Sequence, residues 1–117
     1  MKRRVIVLTM LFALILSLPA FAAEPRVVIV RPTLNFTETT ANCQVVILGN
    51  SNDDDIVAVI KFWENGRCIE TWNEEATGIL NFNTTMNAVK RNTYKLTVDA
   101  VIDGDDQPTA YIEKTHN

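Results

Sequence analysis

Histidine is all but missing from this sequence. The only one, His116, stands one residue from the C-terminus, and chain ends are poorly ordered unless something ties them down. It reads as a solvated tail residue, so neither a Cys–His nor a Ser–His pair has a base held in place. Acid–base carboxylate pairs need a cleft, which a small β-domain rarely has. The chain is therefore expected not to be an enzyme. No helical stripe of apolar residues is present, so an α-helical core is excluded. No EF-hand spacing occurs among the acidic residues. No apolar run beyond the first eighteen residues is long enough to cross a membrane.

The first 22 residues say where the rest works. Lys2, Arg3 and Arg4 give a positive start, and an apolar run from Val5 to Leu18 follows, broken only by Thr9 and Ser17. Pro19 ends it, and Ala20-Phe21-Ala22 sets small residues at the positions a signal peptidase reads. Residues 1–22 thus read as a secretory signal peptide, and residues 23–117 as one exported domain. Removing 22 residues from 117 leaves 95, one domain by length. No cysteine stands at the cleavage point for a lipid anchor, and the polar tail from Glu113 to Asn117 carries no membrane anchor. The formal net charge of −3 becomes −6 once Lys2, Arg3 and Arg4 leave. A field this acidic argues against nucleic acid or an anionic membrane as partner. Asn35-Phe36-Thr37 and Asn83-Thr84-Thr85 are glycosylation sequons that matter only in a eukaryotic source.

Two cysteines, Cys43 and Cys68, remain. In an exported domain an even count favours a disulfide. Against it, alternation points Cys43 inward and Cys68 outward, so a bridge requires Cys43 to precede regular pairing.

Period-two alternation dominates the mature chain, with turn residues between runs rich in Val, Ile, Thr and aromatics. Seven strands follow, near 27–36, 41–48, 56–63, 68–72, 79–84, 93–102 and 109–114, with Pro32 marking an edge or a break in the first. Seven short antiparallel strands in this length predict an all-β, immunoglobulin-like sandwich. Asn65-Gly66 is the preferred pair for a two-residue type I′ hairpin turn. From that turn the register runs Glu64 to Arg67, Trp63 to Cys68, Phe62 to Ile69, Lys61 to Glu70, Ile60 to Thr71 and Val59 to Trp72. Ile60, Phe62 and Ile69 then face the core, while Val59, Lys61, Trp63, Cys68, Glu70 and Trp72 face outward. Ala41, Cys43, Val45 and Ile47 share an inward face, as do Tyr94, Leu96, Val98, Ala100 and Ile102. Leu80 and Phe82 form a further inward pair.

The segment Asn92-Thr93-Tyr94-Lys95-Leu96-Thr97-Val98 resembles the sixth strand of an immunoglobulin-like domain, with Tyr94 where a tyrosine corner sits. Leu96 stands where antibody domains carry their second cysteine, so the usual inter-sheet bridge is absent. Together with Thr40-Ala41-Asn42-Cys43, Phe62-Trp63-Glu64-Asn65-Gly66 and Glu70-Thr71-Trp72, these residues resemble small secreted immunoglobulin-like proteins of Gram-positive, clostridial-type bacteria. The resemblance spans roughly Val27 to Lys114 and carries no catalytic residues.

Two candidate sites emerge. Val59, Lys61, Trp63, Glu70 and Trp72 make an outer face whose indoles would stack on sugar or anchor a protein, or else be covered by ordinary packing. Asp53, Asp54, Asp55, Glu74, Glu75, Asp103, Asp105 and Asp106 gather at one end of such a sandwich, opposite Arg67, Lys90 and Arg91. This serves solubility, or calcium held by Asp53, Asp54, Asp55, Asp103, Asp105 and Asp106. The resulting expectation is a secreted, monomeric binding or adhesion module for a protein or surface glycan. The alternative is a structural or accessory extracytoplasmic protein with no small-molecule ligand.

Overall fold

Alternating β-branched and polar residues leave most of this chain one option, an extended strand with one wet and one dry face. In the computed structural model residues 28–117 are described, and the signal peptide expected at 1–22 lies outside them. The strands are β1 (Ile29–Thr37), β2 (Thr40–Leu48), β3 (Asp55–Glu64), β4 (Arg67–Thr77), β5 (Ile79–Asn87), β6 (Thr93–Ile102), β7 (Asp105–Asp106) and β8 (Ala110–Thr115). No helix occurs among the described residues, so none is available to cross a membrane. Eight strands stand where seven were expected: the two-residue β7 is additional, and β4 and β5 run on to Thr77 and Asn87.

Two antiparallel sheets result. One runs β1-β2-β5, and the other runs β4-β3-β6, with β7 and β8 both paired to β6. Pro32, which has no N–H to donate, sits in β1 at the edge of the smaller sheet. The inward rows fill the space between the sheets: Cys43, Val45 and Ile47 of β2, Ile60 and Phe62 of β3, and Tyr94, Leu96 and Val98 of β6 have no exposed surface. Each large side chain so buried contributes about 2 kcal/mol.

Two tight turns set the hairpins. Asn65 and Gly66 have φ of 50° and 85°, as a type I′ turn needs. Asp103 and Gly104, at 50° and 83°, make the same turn between β6 and β7. This second turn was open to the same Asp-Gly reading.

Gly78 alone carries the chain from β4 in one sheet to β5 in the other. Its φ is 79°, and a Cβ there would lie 2.7 Å from the carbonyl oxygen of Asn52. Its N–H donates to the Asp54 carbonyl at 2.8 Å, and its own carbonyl accepts from Gly49 N–H at 3.0 Å. The loop after β2 and the β4–β5 crossing are thereby fastened to each other.

The β3–β4 register departs from expectation after two pairs. Glu64 faces Arg67 and Trp63 faces Cys68, but Phe62 faces Glu70, Lys61 faces Thr71, Ile60 faces Trp72 and Val59 faces Asn73. Cys68 and Ile69 together oppose Trp63, a β-bulge that adds one residue to β4. Side-chain direction has a period of two, so one extra residue exchanges the faces of everything beyond it. Ile69, expected in the core, is therefore 41% exposed. Trp72, expected outside, shares the inner face with Ile60 and packs on Phe82 with ring centroids 5.2 Å apart.

The expected disulfide does not form, and both cysteines are free. Cys43 belongs to the interior of β2 with its side chain in the core, whereas Cys68 is exposed at the start of β4, in the other sheet. The alternation that counted against the bridge is the geometry found.

His116 is not a solvated tail residue. It is 5% exposed and stacks on Phe36 at 4.7 Å with 15° between the rings. Its Nε2 lies 2.8 Å from the Glu38 carbonyl oxygen, which accepts, so Nε2 is the donor. Its own carbonyl accepts from Arg91 N–H at 2.5 Å, and its N–H donates to Asn92 O at 3.0 Å. The end of the chain is tied down at both backbone and ring.

Candidate binding face

The outer surface of the larger sheet is built by the residues that alternate with the core rows of β3, β6 and β8. Cross-strand pairing sets Trp63 beside Lys95 and Lys95 beside Glu113. The next row sets Lys61 beside Thr97 and Thr97 beside Tyr111. The one after sets Val59 beside Asp99, whose carboxylate accepts from the Thr109 hydroxyl.

Lys95 organises the face. Its Nζ lies 5.9 Å from the Trp63 ring centroid and 5.4 Å from that of Tyr111, a cation shared between two aromatic rings. At a solvated site each such contact is worth about 0.5–1 kcal/mol. The indole N–H of Trp63 donates to Thr97 Oγ1 at 3.1 Å, which fixes the ring's rotation, and Thr97 itself is buried. Trp63 is thus half-buried and held in place, while Tyr111 is 63% exposed and Val57, further along β3, 43% exposed. The chemistry on offer is flat aromatic surface, a screened cation and adjacent aliphatic surface.

Of the residues expected on this face, Val59, Lys61 and Trp63 lie on it. Trp72 and Glu70 do not, because the bulge turns both to the inner side of β4, opposite Ile60 and Phe62. Lys95, Thr97 and Tyr111 were not singled out in the sequence. Alternation along 93–102 already points Lys95 and Thr97 outward, but Tyr111 joins them only through the β6–β8 register.

The acidic end is organised by backbone rather than by a gathered set of carboxylates. Asp54 is buried and turned onto its own loop. Its carboxylate accepts from Asn50 N–H at 2.6 Å, Ser51 N–H at 3.1 Å and the Ser51 hydroxyl at 2.9 Å. The Ser51 hydroxyl, ahead of the backbone donors, lowers its pKa, which burial opposes. Asp103 Oδ1 accepts from Asp55 N–H at 2.8 Å, and Asp103 N–H donates to the Asp55 carbonyl at 2.8 Å. The Asp53–Asp55 loop and the Asp103 turn are thus drawn together, whereas Glu74 and Glu75, expected in a third acidic loop, lie within β4. Even so, no group of three or more His, Cys, Asp or Glu side chains is placed to hold a metal among the described residues. Asp54, bonded into its own loop, is the clearest departure from the expected calcium set. Asp105 and Asp106 lie exposed in β7.

At the other end, the Tyr94 hydroxyl donates to Glu64 Oε2 at 2.6 Å and accepts from Val89 N–H at 2.7 Å. Asn92 Nδ2 donates to the same Glu64 oxygen at 3.2 Å. Burial, then the Glu64 partner, raise the phenol's pKa. Burial likewise pushes the Cys43 thiol up to about 11, so it is a poor nucleophile. No buried side-chain nitrogen or oxygen among the described residues lacks a partner.

Comparison with known protein families, curated proteins and solved structures gives no match.

Proposed function

We propose that this chain is an exported, non-enzymatic binding module with an immunoglobulin-like strand arrangement, and that the Trp63–Lys95–Tyr111 face receives a protein or a surface glycan. Export rests on the features of residues 1–22. The immunoglobulin-like reading draws support from the strand orders β1-β2-β5 and β4-β3-β6-β8, and from the Tyr94 hydroxyl reaching back to Val89, as a tyrosine corner does. The resemblance to secreted immunoglobulin-like proteins of clostridial-type bacteria belongs to the same proposal.

One observation carries the binding reading: an exposed tyrosine and a half-buried tryptophan bracket one lysine on an open sheet face. Rigid aromatics on such a surface supply contact area at low entropic cost and are enriched among binding hot spots. A structural or accessory role is the second reading. It is favoured by the internal hydrogen bond of the Trp63 indole and by the lysine above its ring. Arrays of surface polysaccharides and of extracellular proteins, probed with the protein and with Tyr111→Ala, separate the two. A ligand held by the protein and lost by the variant supports the binding reading. A ligand held equally by both removes this face from it.

A further inference from the structure

We infer that the free edge of β5 is a self-association site, at which β5 pairs antiparallel with β5 of a second copy across a two-fold axis. A strand at the edge of a sheet presents unpaired N–H and C=O groups to any extended partner, and proteins guard such edges with charge, proline or bulges. Four of the five edge strands here are guarded. β1 carries Arg31 and Pro32. β4 carries Arg67, Glu70, Glu74 and Glu75 and also the bulge. β7 is only Asp105 and Asp106, and β8 carries Glu113 and Lys114.

β5 has none of these devices. Its nine residues, ILNFNTTMN, include no charge, no proline and no glycine, and its register with β2 runs without a break from Asn87 to Ile79. On its other side it pairs with no strand among the described residues.

Charge selects a second copy as the occupant. The chain is acidic, with fourteen acidic residues against eleven basic, so two copies repel wherever their charged edges meet. Pairing β4 with itself sets a run of glutamates against a like run, and pairing β7 with itself sets aspartates together. β5 alone among the edges carries no charge, so its self-pairing opposes no like charges in any register. It is also self-complementary. Centred on Asn83, an antiparallel pair sets Asn83 beside Asn83 of the second copy, Asn81 beside Thr85 and Ile79 beside Asn87 on the outer face. On the inner face Leu80 meets Met86 and Phe82 meets Thr84. Carboxamides and hydroxyls then bond across the seam, and Ile79, 53% exposed here, gains cover. The two three-stranded sheets become one of six strands, an isologous and closed contact.

Sedimentation of the purified protein through a dilution series tests this, with melting by circular dichroism confirming the fold of each variant. The expected result is a mass twice that of one chain, falling to one chain on dilution. Asn81→Lys/Asn83→Lys, on the exposed outer face, is expected to stay a monomer throughout, and so is Asn81→Glu/Asn83→Glu. An equimolar mixture of the two is expected to recover the dimer, because lysine then faces glutamate across the axis. A protein that remains a monomer at every concentration overturns the proposal. So does a lysine variant that dimerises as the parent does, or a mixture that stays monomeric.

Discussion

The Tyr94 hydroxyl and the Glu64 carboxylate share a 2.6 Å hydrogen bond that joins β6 to the end of β3 beside the β3–β4 turn. The same hydroxyl accepts from the backbone of Val89, and the Tyr94 ring stacks on Phe62 at 5.3 Å and meets Phe36 at 5.5 Å. With His116 on the far side of Phe36, four rings run through one end of the core. Tyr94→Phe keeps the rings and removes both hydrogen bonds, leaving the Val89 N–H without its partner. It is expected to cost about 2–3 kcal/mol in chemical denaturation.

Tyr94 also contributes to stability on the alkaline side. Its pKa is raised in the folded state, so the folded protein holds this proton longer than the unfolded chain. The contribution is full below about 10, the ordinary phenol value, and is lost as pH rises through the folded pKa. Cys43 acts in the same direction, with its contribution lost as pH climbs from the ordinary 9.0 through about 11. Stability measured against pH should decline on the alkaline side, with a shallower decline in Tyr94→Phe. An unchanged alkaline limb in that variant contradicts the assignment.

Thiol labelling separates the cysteines. Cys68 is exposed and should react in the native protein, whereas Cys43 should react only on unfolding. Without reductant, the unfolded protein is expected to show two thiols. None would restore the disulfide.

Gly78 and Gly66 both have positive φ but differ in their surroundings. Nothing lies within 4 Å of a Cβ at Gly66, whereas one at Gly78 meets the Asn52 carbonyl at 2.7 Å. Gly66→Ala should cost about 1–2 kcal/mol, the left-handed backbone penalty alone. Gly78→Ala should cost more, because Asn52 must move and take the adjoining Asp54 loop with it. Equal losses in denaturation would show that this crossing is not tightly packed.

Asp54 contributes to stability on the acid side. Its pKa is lowered, so its contribution is full above about 4, the unfolded value, and is lost as pH falls through the folded pKa. Asp54→Asn should melt lower at neutral pH and lose the acid-side dependence that this group supplies. Because Asp54 is bonded within its own loop, melting in calcium and in chelator is expected to give the same midpoint. A calcium-dependent rise would revive the metal reading of this end.

The limits of the sequence reading are local and physical. Inward rows such as Ala41, Cys43, Val45 and Ile47 were legible because alternation is imposed by burial itself. The Asn65-Gly66 turn was legible too, and its register held as far as Trp63 and Cys68. What failed was the β4 side past the bulge, since a single extra residue at Ile69 leaves no mark in composition yet reverses Glu70 and Trp72. His116 failed for another reason. Its hydrogen bond to Glu38 spans 78 residues, and no rule about chain ends anticipates a partner that distant. The candidate face was half legible for the same cause. Trp63 and Lys61 followed from alternation, whereas Tyr111 is brought there by the pairing of β6 with β8.

The proposed binding face gives the two tryptophans different work, Trp63 in binding and Trp72 in the core. It is tested most directly by measuring melting and ligand binding on Trp63→Ala and Trp72→Ala, using the ligand found with the arrays. Trp72→Ala is expected to cost about 3 kcal/mol of stability through the lost contact with Phe82, with binding affected only as the fold is lost. Trp63→Ala is expected to weaken binding by about 2 kcal/mol or more and to leave the fold largely intact. Binding that survives Trp63→Ala unchanged, or a binding loss equal in the two variants, contradicts this division of roles.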